Sequence, residues 1–298
     1  MISSLASRGR KGVLCVLLTC GGLTALVAQV ATGSSGDPLT YTSAKQFVPN
    51  QDIGRTQDSV GCPGSDSHPT GGGVEIRGDQ TDLNLEVAGS ASSQRHSGWF
   101  ASVNNNSGSP AHMTTTVICA KGKFVYESAA RTIKGNNQAQ KEVSCPAGTK
   151  VTGGGINTGS ILPQVEVSSS EPVDDSDPGS EPDNGWLGIA NNGRPGSVGM
   201  TVEAVCAKSG SFKYVQTPPA SVADGGQISN VASCPKGSQV TGGGVDITGI
   251  DDGIEVAGTF PSDGGDQGFT PDDGWEGVAN NDATGSPERM QVFAICLK

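Results

Sequence analysis

Cys145-Pro146-Ala147-Gly148-Thr149-Lys150-Val151-Thr152-Gly153-Gly154-Gly155, followed by Gly185-Trp186, Asn191-Asn192, Met200 and Cys206, decides the fold, because the chain writes it three times. The earlier copy has Cys62-Pro63, Thr70-Gly71-Gly72-Gly73, Gly98-Trp99, Asn104-Asn105, Met113 and Cys119. The later copy has Cys234-Pro235, Thr241-Gly242-Gly243-Gly244, Gly274-Trp275, Asn280-Asn281, Met290 and Cys296. A period of ~85 residues held over three copies marks a fold assembled from repeated units. It divides the chain into residues 1–33, 37–121, 122–208 and 209–298.

Working outward, the end of each unit alternates. In Met200-Thr201-Val202-Glu203-Ala204-Val205-Cys206 the period of two puts Met200, Val202, Ala204 and Cys206 on one face of a strand. Met113 and Met290 stand six residues before their cysteines in the same way, so the methionines are core positions. Upstream, Gly185-Trp186-Leu187-Gly188-Ile189-Ala190 reads as a second strand. Asn191-Asn192-Gly193 reads as the turn joining the two into a hairpin. Leu85-Glu86-Val87, Val165-Glu166-Val167 and Ile254-Glu255-Val256 read as short strands whose central glutamate faces water. Each unit opens on a strand with a tyrosine: Leu39-Thr40-Tyr41, Phe124-Val125-Tyr126 and Phe212-Lys213-Tyr214.

Glycine inside a strand pattern marks a bulge or a place where something large lies on the backbone. Trp99, Trp186 and Trp275, one per unit, are the candidates to lie there and to fill the core. A phosphate loop is excluded, since no Gly-Lys-Ser/Thr and no helix follow the glycines. The fold expected is all-β: three tandem, disulfide-closed, antiparallel sandwich-like units, with a single pseudo-threefold β domain as the alternative. No flexible linker separates the units, so neighbours are held in fixed relation.

Arg8, Arg10 and Lys11 precede an apolar run from Val13 to about Val30, the pattern of an export leader. Small residues at Leu26-Val27-Ala28 and at Ala31-Thr32-Gly33 offer two cleavage points. Left uncleaved, the run approaches the ~20 residues that span a bilayer. Two of the eight cysteines, Cys15 and Cys20, lie in this leader. The other six fall as one pair per unit, giving Cys62–Cys119, Cys145–Cys206 and Cys234–Cys296 as the expected disulfides of a secreted, extracellular protein. Closing each loop contributes roughly 4 kcal/mol in the chain-entropy model. Zinc is the rival for paired cysteines, but no C-x-x-C occurs and all three histidines lie in the first unit. No metal and no cofactor is expected. The formal charge is −11, and the leader contributes only cations, so the mature chain is more acidic still. This disfavours nucleic acid and anionic membranes, both of which need a basic patch.

The run from Cys145 to Gly155, with Gly185-Trp186 and Ala204-Val205-Cys206-Ala207 behind it, resembles repeats in uncharacterised secreted proteins of actinobacteria and related bacteria. The resemblance covers all three units and implies no catalytic residues. The first unit departs from it by one extra residue between Cys62 and the glycines.

Candidate sites are few. No G-x-S-x-G or H-E-x-x-H occurs, and no histidine recurs between units, so an enzyme is not expected and a hydrolase with an unrecognised site ranks third. Acidic runs precede the tryptophan in the second and third units; Asp174, Asp175, Asp177, Asp272 and Asp273 are the candidate calcium ligands, weighed against solvated loops. The tryptophans are weighed as sugar platforms against core, and Arg77-Gly78-Asp79 as a receptor tripeptide against chance. The expectation is a non-enzymatic structural or adhesive protein outside the cell, with a glycan- or calcium-binding array as the alternative. The partner classes left open are a surface or matrix glycan or protein, and a membrane only through an uncleaved leader.

Overall fold

The computed structural model describes residues 29–31, 39–50, 55–78, 83–160, 163–174, 179–248, 253–264, 268–282 and 285–298. It is all-β and antiparallel. A short β1 (Gln29–Ala31) precedes the first unit, which comprises β2 (Leu39–Val48), β3 (Thr56–Gly61), β4 (Ser67–Arg77), β5 (Leu85–Ser92), β6 (Gly98–Asn105) and β7 (Ala111–Lys121). The second holds β8 (Phe124–Ile133), β9 (Asn137–Ser144), β10 (Lys150–Thr158), β11 (Val165–Val173), β12 (Gly185–Asn192) and β13 (Val198–Ala207). The third holds β14 (Phe212–Gln216), β15 (Ala220–Val222), β16 (Gly226–Ser233), β17 (Gln239–Thr248), β18 (Ile254–Ser262), β19 (Gly274–Asn281) and β20 (Glu288–Leu297). Residues 1–28, with Cys15 and Cys20, lie outside the described residues. β1 pairs with β2, so cleavage after Ala28 would retain this strand and cleavage after Gly33 would remove it.

The sheets do not follow the unit boundaries. One runs β1-β2-β7-β4-β18-β19-β16, the second β3-β6-β5-β10-β13-β8, and the third β14-β20-β17-β11-β12-β9, with β15 also on β20. Each unit therefore gives three core strands to one sheet and three to another, and the sharing closes in a ring. Within a unit the two half-sheets pack face to face, as the sandwich-like reading has it; taken whole, the molecule is the pseudo-threefold domain of the alternative. Cys62–Cys119, Cys145–Cys206 and Cys234–Cys296 are closed within units. Disulfides inside units and sheets shared between them coexist, because each bridge ties the residue that follows β3, β9 or β16 to the last strand of the same unit.

One expectation is corrected here. The tryptophan and methionine strands are not a hairpin: β6 and β7, β12 and β13, and β19 and β20 lie in different sheets. Turn residues announce a change of direction but not which sheet the chain enters next, and here the chain crosses the wedge between two half-sheets. The second asparagine of each pair fixes that crossing. The Asn105 Nδ2 donates to Val48 O at 3.2 Å and Ser109 O at 2.9 Å, while Asn192 and Asn281 donate to the matching carbonyls of Ile133, Gly196, Val222 and Ser286, Asn192 reaching Lys134 O as well.

The repeated Thr-Gly-Gly-Gly is where the three units meet. A register shift falls at Thr70, Thr152 and Thr241 alike, so the extra residue of the first unit is absorbed before its strand pairs. The bulged threonines form a closed ring: Thr70 Oγ1 donates to Thr241 O, Thr241 to Thr152 O and Thr152 to Thr70 O, each at 3.0 Å. A Cβ on the first glycine (Gly71, Gly153, Gly242) would strike the backbone of the neighbouring unit's Thr-Gly. One on the second (Gly72, Gly154, Gly243) would enter the ring of the same unit's tryptophan. Trp99, Trp186 and Trp275 are 0%, 1% and 0% exposed, and their indole N–H groups donate to Ser90, Ser170 and Thr259. Burying each removes ~200 Å² from water, an upper bound of ~5 kcal/mol. Met113, Met200 and Met290 are buried as well.

Candidate functional site

The central glutamates are the second correction. Glu86, Glu166 and Glu255, read as solvent-facing, are 9%, 8% and 3% exposed. The cause is a register shift after Val87, Val167 and Val256, which breaks the simple alternation, together with the mutual packing of β5, β11 and β18 around the axis. All three glutamates are thus gathered at the axial end opposite the threonine ring.

Each glutamate pairs across the strands with the first asparagine of its unit: Glu86 with Asn104, Glu166 with Asn191, Glu255 with Asn280. These asparagines, read as turn residues, are fully buried. Asn104 Nδ2 donates to Glu86 Oε2 at 3.0 Å. Behind each asparagine stands a donor one strand further out. Gln138 donates to Asn191 Oδ1 at 3.0 Å and Gln227 to Asn280 Oδ1 at 2.6 Å. In the first unit this place is taken by Arg55, whose Nε donates to Asn104 Oδ1 at 3.0 Å and whose Nη atoms reach Thr158, Ser160 O and Val165 O of the second unit. No sequence pattern signals this substitution, because Arg55 precedes its strand and its counterparts are glutamines.

Burial sets the chemistry. It pushes the Glu255 carboxyl up to about 10, with Glu86, Asp282 and Glu166 adding in the same direction and Asn280 opposing. Burial also raises Glu86, against Asn104 and Arg55. The Arg55 guanidinium falls to about 10 through desolvation, opposed by Glu166 and Glu86, and stays charged at neutral pH. Glu255 Oε1 and Asn191 Nδ2 have no hydrogen-bond partner among the described residues. The three glutamates are nearly shielded from water, and for Glu86 and Glu255 that burial favours the protonated carboxyl.

Two further carboxyl clusters lie at unit junctions. Glu171 is buried in β11 beside Asp246 of β17; burial and that neighbour push it up to about 9. At the junction of the first and second units, the Ser92 hydroxyl lies 2.8 Å from His96 Nδ1, and Glu203 Oε2 lies 3.5 Å from the same nitrogen. A serine nucleophile and its orienting carboxylate occupy opposite nitrogens of the histidine. Here both meet Nδ1, so the trio is not a relay. His96 stacks on Tyr126 with centroids 3.9 Å apart, and with Arg95 it holds a positive φ, which makes this turn a clamp across the junction.

The described members of the predicted calcium set, Asp174, Asp272 and Asp273, belong to no group placed to hold a metal ion. Asp174 is exposed, and Asp175 and Asp177 lie outside the described residues. Asp273 accepts from Gly264 N at 3.0 Å within its own loop, and Asp272 accepts from Gln239 Nε2 at 2.8 Å, which ties that loop to β17. Asp183 does the same with Lys150. Among the described residues no three His, Cys, Asp or Glu side chains are placed to hold a metal ion. Melting in millimolar calcium and in chelator should therefore coincide. A ~10 μM site would add roughly 2.7 kcal/mol, and a rise of several degrees would restore these loops as ligands. Arg77 ends β4 and pairs with Glu75, while Asp79 lies outside the described residues.

No family model and no curated protein matches this chain. Among solved structures, a chain described under "The Triple Jelly Roll Fold and Turret Assembly in an Archaeal Virus" is similar over 92% of this chain and 88% of its own, at 8% identity and a TM-score of 0.20. A likeness that loose carries no argument. No helix among the described residues is long and apolar enough to cross a membrane. The three disulfides fit an oxidising environment.

Proposed function

We propose that the protein is an exported, non-enzymatic structural or adhesive element that stands outside the cell. One observation supports this above the others: the residues recurring in all three units are engaged inside the molecule. The threonines close the axial ring, the glycines admit neighbouring backbone and the tryptophans, and the glutamate–asparagine rows fill the opposite end. Repetition then serves closure of one rigid body rather than multivalent display. Surface recognition falls to features that differ between units, such as the clamp at His96 and the loops before Trp186 and Trp275. Burial of the tryptophans removes them as sugar platforms.

The test is fractionation of producing cells with and without the protein. Recovery outside the cell with its six unit cysteines protected from alkylation, together with weakened cohesion of cells or matrix when it is deleted, supports the reading. Recovery in the reduced cytoplasm, or a turnover activity that disappears in Ser92→Ala, overturns it.

A further inference from the structure

At the threonine end of the axis the strand junctions leave a cavity of ≈ 230 Å³. Its floor is Thr70, Thr152 and Thr241. Its walls include Phe124 and Phe212, the first residues of β8 and β14, and Leu39, the first of β2. Each threonine hydroxyl already donates its single proton to a backbone carbonyl oxygen, so the three hydroxyls offer an occupant lone pairs but no proton. The floor therefore repels an anion's charged end and accepts an apolar one.

The rim has the opposite character. Ala120, Ala207 and Leu297 occupy equivalent places, opposite Leu39, Phe124 and Phe212, and each is followed by a lysine: Lys121, Lys208 and Lys298. Lys123 adds a fourth cation, and Lys121 and Lys123 line the cavity itself. All four are exposed. Asp66 lies 3.1 Å from Lys121, but that pair is largely exposed and weakly held. Lys121 and Lys123 thus place two cations at an opening whose walls include Phe124 and Phe212, in a chain of net charge −11.

We propose that this axial cavity binds a small amphipathic carboxylate. A ring-sized apolar body packs against Phe124 and Phe212 over the three threonines, and the carboxylate stays at the rim between Lys121 and Lys123. The cavity is smaller than the ~300–1,000 Å³ of drug-sized sites, which limits the body to about one ring. The inference does not depend on the structural role proposed above.

The experiment titrates the full disulfide-closed chain with benzoate and with benzamide, its neutral isostere, by calorimetry and ligand-observed NMR. Benzoate should bind, benzamide at least tenfold more weakly, and the benzoate affinity should fall with salt. Charge reversal in a Lys121→Glu/Lys123→Glu variant, at exposed positions, should cost benzoate at least tenfold while leaving the circular dichroism unchanged. Ser209→Phe, at an exposed lining position, should block the cavity to benzoate. No binding by the natural chain, equal binding of benzamide, or undiminished binding by either variant would overturn the proposal.

Discussion

The protein is expected to be more stable at pH 5 than at pH 8. Glu255 and Glu171 titrate in the folded state at about 10 and about 9, far above an ordinary glutamate. A carboxyl raised by folding contributes stability that is complete below its unfolded value and is lost as pH rises toward its folded one. Both groups are buried, at 3% and 8% exposure, so solvent screening does not remove the effect. Glu86, Glu203 and Asp246 move in the same direction, each chiefly through burial. For each pH decade between its unfolded and folded values, one such carboxyl nominally gives up ~1.4 kcal/mol. Water entering the clusters as they ionise offsets much of this, and the net loss from pH 5 to pH 8 comes to roughly 3 kcal/mol, or about 6–12 °C in melting temperature for a chain of this size. Glu255→Gln keeps the shape and removes one titration, so it should flatten the slope and raise the melting temperature at pH 8. A melting temperature that climbs from pH 5 to pH 8 would show that the cluster is ionised and paired rather than protonated.

The strands, the disulfide partners and the buried tryptophans were legible because each rests on local pattern: period-two alternation at Met200 to Cys206, one cysteine pair per unit, and one large ring beside three glycines. What stayed hidden was long-range. Alternation around Val165-Glu166-Val167 points the glutamate outward, and only the bulge beyond Val167 and the closing of three such strands on one axis turn it inward. Sheet membership was equally out of reach. β10 pairs with β5 of the previous unit through Ile156 and Ser90, a contact that no spacing within one unit encodes. The Arg55 site needed both facts at once, since its partners Thr158, Ser160 and Val165 belong to the next unit.

That sharing of sheets makes the response to Gly153→Ala the sharpest test of the architecture. The new methyl would strike Thr70 O and the Cα of Gly71, which are backbone atoms held in the threonine ring and cannot swing aside as a side chain could. Relief requires opening the axis, where β4, β10 and β17 meet. Overpacking of a tight core costs typically 1–3 kcal/mol, and a clash against immobile backbone belongs at ~3 kcal/mol or above. Gly148→Ala is the control within the same unit: its φ of +78 brings strain, but nothing lies near its Cβ, so its effect should be smaller. How the protein melts matters more than by how much. Were the units separate beads, Gly153→Ala would split the transition, with the second unit melting early and the other two unchanged. Because β10 completes a sheet with the first unit and β11 one with the third, no unit keeps its sheets once another is lost. The expected calorimetric trace is therefore a single transition displaced as a whole to lower temperature, and a trace resolved into two steps would count against the closed ring.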